Sequence, residues 1–303
     1  MLQRARRLLG TLFLAGLAAC AITTIATAGT ATKSSTTTHH TTHSTSVHHR
    51  HSRHNPPGGC YARSAIVMDP ATDEVLYNKN ADSSVPIASL SKLMTAMVFL
   101  EQQPDLDRSV VVAREDWFHA GHTQLRVGET VELGDLLHMS LMCSDNCATR
   151  VLARESGLAT DDYLARMNRK AIELGMNHTR FVEFTGLDER NVSTASDVAR
   201  MLRAAAAVPL IRQISTTREY EFASARRTHA IRNTDRFVYG TRYEVLGGKT
   251  GFISEAGYCL ATWIRTEGRE LIAVVLGAPT AATRFADTSR LIQRATSASI
   301  TQP

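Results

Sequence analysis

No basic stripe interleaved with aromatic residues runs through this chain: Phe, Trp and Tyr make up 6% of 303 residues, and 34 Lys and Arg are dispersed among 29 Asp and Glu. That absence argues against nucleic acid as a partner. Cysteine is also scarce, with five in all, so at most two bridges can form among Cys60, Cys143, Cys147 and Cys259 in the part expected to fold. If the segment around Cys143 and Cys147 were regular helix, their Cβ atoms would lie side by side, a strained geometry for a bridge. They could clip a non-helical loop, pair elsewhere or stay as buried thiols. No His or acid joins the cysteines at zinc-ligand spacing, so neither a metal nor another cofactor is expected.

One long apolar run is present, from Leu8 to about Ile25, and it follows Arg4, Arg6 and Arg7. Gly10, Gly16 and several threonines interrupt it and it is short for spanning a bilayer, so it reads as a secretory signal. Two exits are written: Leu17-Ala-Ala-Cys20 resembles a lipoprotein box that would lipidate Cys20 and anchor the N-terminus to a membrane, whereas Ala26-Thr-Ala28 fits simple cleavage. Removal of the signal lowers the formal charge of +5. Residues 29–59 are a Ser/Thr/His tract ending in Asn55-Pro-Pro-Gly-Gly59, with too little apolar surface to pack. Its seven histidines, His39, His40, His43, His48, His49, His51 and His54, could capture Zn or Ni loosely or charge in acid. The plainer reading, a solvated spacer, is the one adopted. The expected organisation is therefore a signal over 1–28, a linker over 29–59 and one catalytic domain over 60–300.

Within that domain three short strings follow one another: Ser89-Leu-Ser-Lys92, Ser144-Asp-Asn146 and Lys249-Thr-Gly251. Each is weak alone; their order, wide spacing and neighbours carry the weight. One helical turn separates Ser89 from Lys92, so the amine can reach the hydroxyl and act as its base once neutral. Bringing a lysine from about 10.4 to about 7 takes burial, helped by a second positive group for which Lys249 is the candidate. Ser144 can relay a proton between Lys92 and a departing amine, Asn146 can hold a peptide group, and Asp145 is expected to point away and fix the loop. Lys249 and Thr250 suit a strand that receives an extended substrate by edge pairing and holds its carboxylate or amide end. Gly251 lets the substrate approach the backbone.

Together these strings resemble those of the penicillin-binding proteins and serine β-lactamases. Pro86-Ile-Ala-Ser89-Leu-Ser-Lys92-Leu-Met-Thr-Ala-Met97, Gly175-Met-Asn-His-Thr-Arg-Phe-Val182, Thr185-Gly-Leu187, Asn191-Val-Ser-Thr194 and Gly248-Lys-Thr-Gly-Phe252 are similar to the D-alanyl-D-alanine endopeptidase branch of the low-molecular-mass penicillin-binding proteins. The resemblance runs from about Tyr61 to the last helix. It implies a serine hydrolase of D-alanyl to diaminopimelate crosslinks in periplasmic peptidoglycan, acylated covalently by β-lactams. It also implies an oxyanion hole made by the amides of Ser89 and Phe252. Carboxypeptidase action on terminal D-Ala-D-Ala uses the same machinery. A β-lactamase is disfavoured because no Glu-x-x-Leu-Asn follows Ser144, Glu183 being the nearest candidate. A non-catalytic wall-binding or β-lactam-sensing protein would not need every group. Phe184 departs from the Pro usual in that family's Glu-Pro-Thr-Gly string, and Asp73 from its hairpin glycine. No residues remain after the last helix for the extra C-terminal β domain of some relatives, so any anchor is expected at the N-terminus.

The coarse pattern agrees with that fold. Residues 64–69 and 74–78 read as a hairpin, and Pro86 as the start of a helix to about Gln102 with Leu90, Met94, Met97 and Val98 as its core stripe. Residues 110–210 read as mostly helical, with helices at 134–142, 146–155, 160–174 and 196–207. Strands at 243–246, 257–265 and 271–276 and a helix over 281–298 follow. The predicted class is α/β, more narrowly α+β: a five-stranded antiparallel sheet flanked by helices with an inserted helical lobe, β-lactamase/transpeptidase-like.

Overall fold

The computed structural model describes residues 59–300 apart from His122, with side chains as far as Ser297. The signal, Cys20 and nearly all of the histidine-rich linker lie outside the described residues.

In chain order the elements are β1 (Ser64–Met68), β2 (Val75–Lys79), β3 (Val85–Pro86), α1 (Ser91–Glu101), β4 (Ser109–Val111), α2 (Arg114–Trp117), β5 (Thr130–Glu132) and α3 (Leu133–His138). There follow α4 (Asn146–Arg154), α5 (Thr160–Glu173), β6 (Val192–Ser193), α6 (Ala195–Ala206), α7 (Pro209–Thr216), β7 (Glu219–Ala223) and β8 (Thr228–Arg232). The chain closes with β9 (Glu244–Ile253), β10 (Gly257–Thr266), β11 (Arg269–Ala278) and α8 (Ala281–Ile300). A five-stranded antiparallel sheet runs in the order β2-β1-β11-β10-β9, as expected, with the helical insertion between β2 and β9.

Both faces of this sheet are covered, because successive side chains of one strand point to opposite sides. Ala65, Val67, Leu271, Ala273 and Val275 pack with Leu291, Ile292 and Ala295 of α8. Ile66, Met68, Ile272, Val274 and Leu276 join the larger core shared with α1 and α6. In α1 every residue from Ser91 to Phe99 is buried. The expected apolar stripe is therefore only part of its buried surface, and its polar residues are interior groups too. Among the described residues no helix is long and apolar enough to cross a membrane.

Several boundaries differ from the sequence reading. Pro86 sits in β3, paired with β6, and the chain makes a 3-10 turn over Ala88–Leu90 before α1 begins. The helix expected over 134–142 stops at His138 and widens into a π turn, Met139–Cys143. The supposedly helical stretch contains the β4–β5 pair, and β7–β8 forms a further hairpin beyond it. These strands are only three to five residues long, so the alternation they carry is brief. Cys60, Cys143, Cys147 and Cys259 are all free thiols.

Candidate active site

Ser89 is presented by a forced local geometry. Ala88 before it has φ +48°, a left-handed conformation that costs an alanine about 1–2 kcal/mol, and Ser89 itself remains partly exposed. Two glycines close on this turn. A Cβ on Gly186, at φ +84°, would lie 1.9 Å from the Ala88 carbonyl oxygen, and one on Gly251 would lie 3.1 Å from the Ser89 nitrogen. The loop after Phe184 and strand β9 therefore meet the serine backbone to backbone.

Lys92 is wholly buried, and its ammonium donates to Ser89 Oγ at 2.9 Å, Asn146 Oδ1 at 2.6 Å and the Thr185 carbonyl at 2.6 Å. Burial lowers its pKa to about 7, against the opposing pull of Glu183, Asp145 and Cys143 and with a smaller push from Arg150. Lys249 is also wholly buried, and it is held well below its ordinary value first by burial and then by the Lys92 charge. Removal from water, more than the second charge anticipated from the sequence, is thus what makes Lys92 a neutral amine near pH 7.

Ser144 ends the π turn at φ +65°, and its buried Oγ has no hydrogen-bond partner among the described residues. Asp145 does point away from the cluster: it caps α4 by accepting from the Ala148 amide at 3.0 Å and also takes the hydroxyl of Thr123 and the amide of Gln124. Asn146 spends its oxygen on Lys92 and one amide hydrogen on the Ala120 carbonyl at 2.8 Å, leaving its second amide hydrogen for another acceptor.

On β9, Lys249 donates to the Thr250 carbonyl at 3.0 Å, while Arg284 of α8 reaches the Gly251 carbonyl at 3.2 Å. Phe252 is 49% exposed and stacks on Tyr258. Strand β9 continues unbroken from Glu244 through all three residues of the last string, which the sequence reading split from its strand at 243–246. All eight residues singled out in the sequence lie on the segments that meet here.

Sequence reasoning missed the supports. Thr234 places its hydroxyl 2.6 Å from that of Thr250 and donates both its amide and its hydroxyl to the Met142 carbonyl, tying β9 to the segment that carries Ser144. Thr185 supplies the carbonyl that holds Lys92. Glu183 accepts from the Thr185 amide and hydroxyl and from Asn191, and it also binds the Gly186 amide, so its carboxylate is consumed within its own loop. Phe184 gives its carbonyl to Thr95 at 2.6 Å and packs edge-on against Tyr163, which anchors the loop without the usual proline. Apart from the local Glu183 contacts, these pair residues remote in sequence, and no pattern in the chain marks them.

A serine hydroxyl beside a buried, neutralisable amine, backed by an unpaired hydroxyl and an open strand edge, can form and break an acyl ester. Among the described residues no three His, Cys, Asp or Glu side chains gather as metal ligands would.

Comparison with known proteins matches residues 50–280 to the family described as D-alanyl-D-alanine carboxypeptidase. The chain is 39% identical to a D-alanyl-D-alanine endopeptidase of Escherichia coli, over 75% of each protein. It is likewise 39% identical over 75% of each to a D-alanyl-D-alanine endopeptidase of Pseudomonas aeruginosa. Among solved structures it resembles the Streptomyces K15 DD-transpeptidase with a TM-score of 0.73 at 26% identity, covering 78% of this chain and 98% of that one.

Proposed function

The chain belongs to the D-alanyl-D-alanine carboxypeptidase family and is a serine D-Ala-D-Ala peptidase, and on that footing we propose that it is chiefly an endopeptidase of D-alanyl to diaminopimelate crosslinks in peptidoglycan. The observation that carries the chemistry is the 2.9 Å contact between Ser89 Oγ and the buried amine of Lys92. The relatives named as endopeptidases, matched over three quarters of their length, favour the crosslink as the bond attacked.

In this reading neutral Lys92 takes the Ser89 proton as Oγ attacks the D-alanyl carbonyl, and the amides of Ser89 and Phe252 hold the developing oxyanion. The unpaired Ser144 hydroxyl passes that proton to the departing amine. Asn146 offers its free amide hydrogen to the substrate backbone, Lys249 and Thr250 hold its carboxylate or amide end, and Gly251 admits it to the edge of β9. Water then cleaves the acyl ester and regenerates Ser89. β-Lactams enter by the same attack, and their esters persist because Glu183, bound up in its loop, is not free to activate water. That supports a peptidase over a β-lactamase. Export to the periplasm, with or without a lipid on Cys20, completes the reading.

Incubation with purified crosslinked muropeptide dimers tests it: monomers should appear with the wild type and not with Ser89→Ala. Release of free D-alanine with the dimers intact would replace the endopeptidase reading with a carboxypeptidase, the activity that describes the family as a whole.

A further inference from the structure

Asp235 is buried one residue beyond Thr234, outside the reacting cluster. Its Oδ1 accepts from the Phe237 amide at 3.0 Å and caps the 3-10 turn Arg236–Tyr239, but its Oδ2 has no hydrogen-bond partner among the described residues. A carboxylate oxygen left unpaired in a dry interior is costly unless a nearby charge compensates it. Oδ2 is aimed at the back of β9. A Cβ on Gly248 would lie 2.8 Å from it, so the missing side chain of Gly248 is what admits the carboxylate. Successive side chains of a strand point to opposite faces, so Lys249 leaves β9 on the other side, the face on which Gly251 meets Ser89. The acid and the amine are therefore separated by the thickness of one strand.

The charges around this strand are unbalanced without Asp235. Lys249 is acted on by Lys92 of α1, the Cys143 thiol of the π turn, Arg284 of α8 and Asp235, while Glu183, Asp145 and Arg150 act on Lys92. Arg284 is only 8% exposed and has Arg236, Tyr258 and Cys259 beside it as well as Asp235. The Cys143 thiol, pushed up to about 12 by burial, is neutral. Of the groups named as acting on Lys249, Asp235 is then the one anion, and it favours the ammonium that burial and Lys92 disfavour. Burial raises Asp235 itself to about 6, against the Phe237 amide and the Arg284 and Lys249 charges, so it is ionised at neutral pH.

We propose that Asp235 is a positioning residue, the counter-ion set behind Gly248 that keeps the Lys249 amine an ammonium able to hold the carboxylate end of the substrate. The assignment rests on Lys249 holding that end.

The test compares a penicillin with its methyl ester, which lacks the carboxylate charge, by the second-order rate of Ser89 acylation between pH 5 and 8. The wild type should favour the acid about tenfold over this range. Asp235→Asn keeps the shape and an oxygen for the Phe237 amide but removes the charge, so Lys249 loses its proton at lower pH. The preference should then fall to about twofold or less at pH 8 and recover as the pH falls. At pH 5 Asp235 is itself protonated, and the two proteins should converge there. Because both rates come from one preparation, a partly misfolded variant lowers both and leaves the ratio unchanged. A preference lost equally at every pH would mean a displaced strand and not a missing counter-ion, and would overturn the assignment. An undiminished preference at pH 8 would overturn it too, while leaving Lys249 as the carboxylate holder. Equal rates for acid and ester in the wild type would remove that role of Lys249, and the role of Asp235 with it.

Discussion

Thr234 and Thr250 meet hydroxyl to hydroxyl at 2.6 Å, sixteen residues apart in sequence and on opposite sides of the turn that enters β9. With its own hydrogen directed to the Met142 carbonyl at 3.1 Å, Thr234 receives that of Thr250. This orients the Thr250 oxygen and holds the Ser144 wall against the strand. Thr234→Val should lower the second-order rate of β-lactam acylation about tenfold and stability by about 1 kcal/mol, the usual worth of such a bond. Thr234→Ser should restore both. Acylation kinetics and urea unfolding of the two variants check this, and a valine variant that acylates normally would show that the contact does not position Thr250.

The protonation of Lys92 predicts a pH dependence. Its pKa is lowered to about 7, so the amine is charged and unable to accept a proton below that value and becomes a competent base above it. The acylation rate constant should therefore climb with pH and level off above about 7, instead of rising toward the ordinary lysine value near 10.5. Stopped-flow acylation between pH 5 and 9 would reveal the midpoint. Lys92→Arg, which stays charged throughout, should be inactive across the range.

Gly186 has no room for a methyl group. Its φ of +84° is strained for any other residue, and a Cβ there would press into the Ala88 carbonyl. Gly186→Ala should destabilise the protein by about 1–3 kcal/mol or more and lose acylation, because relieving the clash displaces the turn bearing Ser89. Gly175→Ala, also at positive φ but with nothing within 4 Å of the new Cβ, should show the backbone strain without the loss of acylation. Thermal unfolding and fluorescent-penicillin labelling separate the two effects.

The four cysteines of the described residues should react only when the protein unfolds. Burial is the main cause that pushes Cys60 and Cys259 up to about 11 and Cys143 and Cys147 up to about 12, so thiolate is scarce at neutral pH. Alkylation at pH 8 followed by peptide mass spectrometry should find them unmodified in the native protein and all modified in denaturant. A reductant should leave the melting temperature unchanged. A bridged pair in native protein would contradict the free thiols.

Much of the site could be read directly from the chain, because its chemistry depends on residue types at short spacing. Ser89 and Lys92 are one turn apart, and that spacing brings Nζ to Oγ even though Ser89 lies in a 3-10 turn ahead of α1. Strands β10 and β11 and helix α8 announced themselves through sustained apolar patterns, whereas the apolar start of β9 gave only 243–246 before its glycines. The β4–β5 and β7–β8 pairs did not, since strands of three to five residues are too short for their alternation to stand out.

The sequence by itself determined the candidate nucleophile, its neighbouring amine, the strand proposed to receive substrate and the class of sheet that carries them, because these follow from residue identity and local periodicity. Only the tertiary structure decided that Lys92 is dry enough to be neutral, that Ser144 is left unpaired, that Glu183 is spent on its loop, and that Thr234 joins the two walls. Each depends on what packs against a group from distant parts of the chain, and burial and hydrogen-bond partners of that kind have no linear signature.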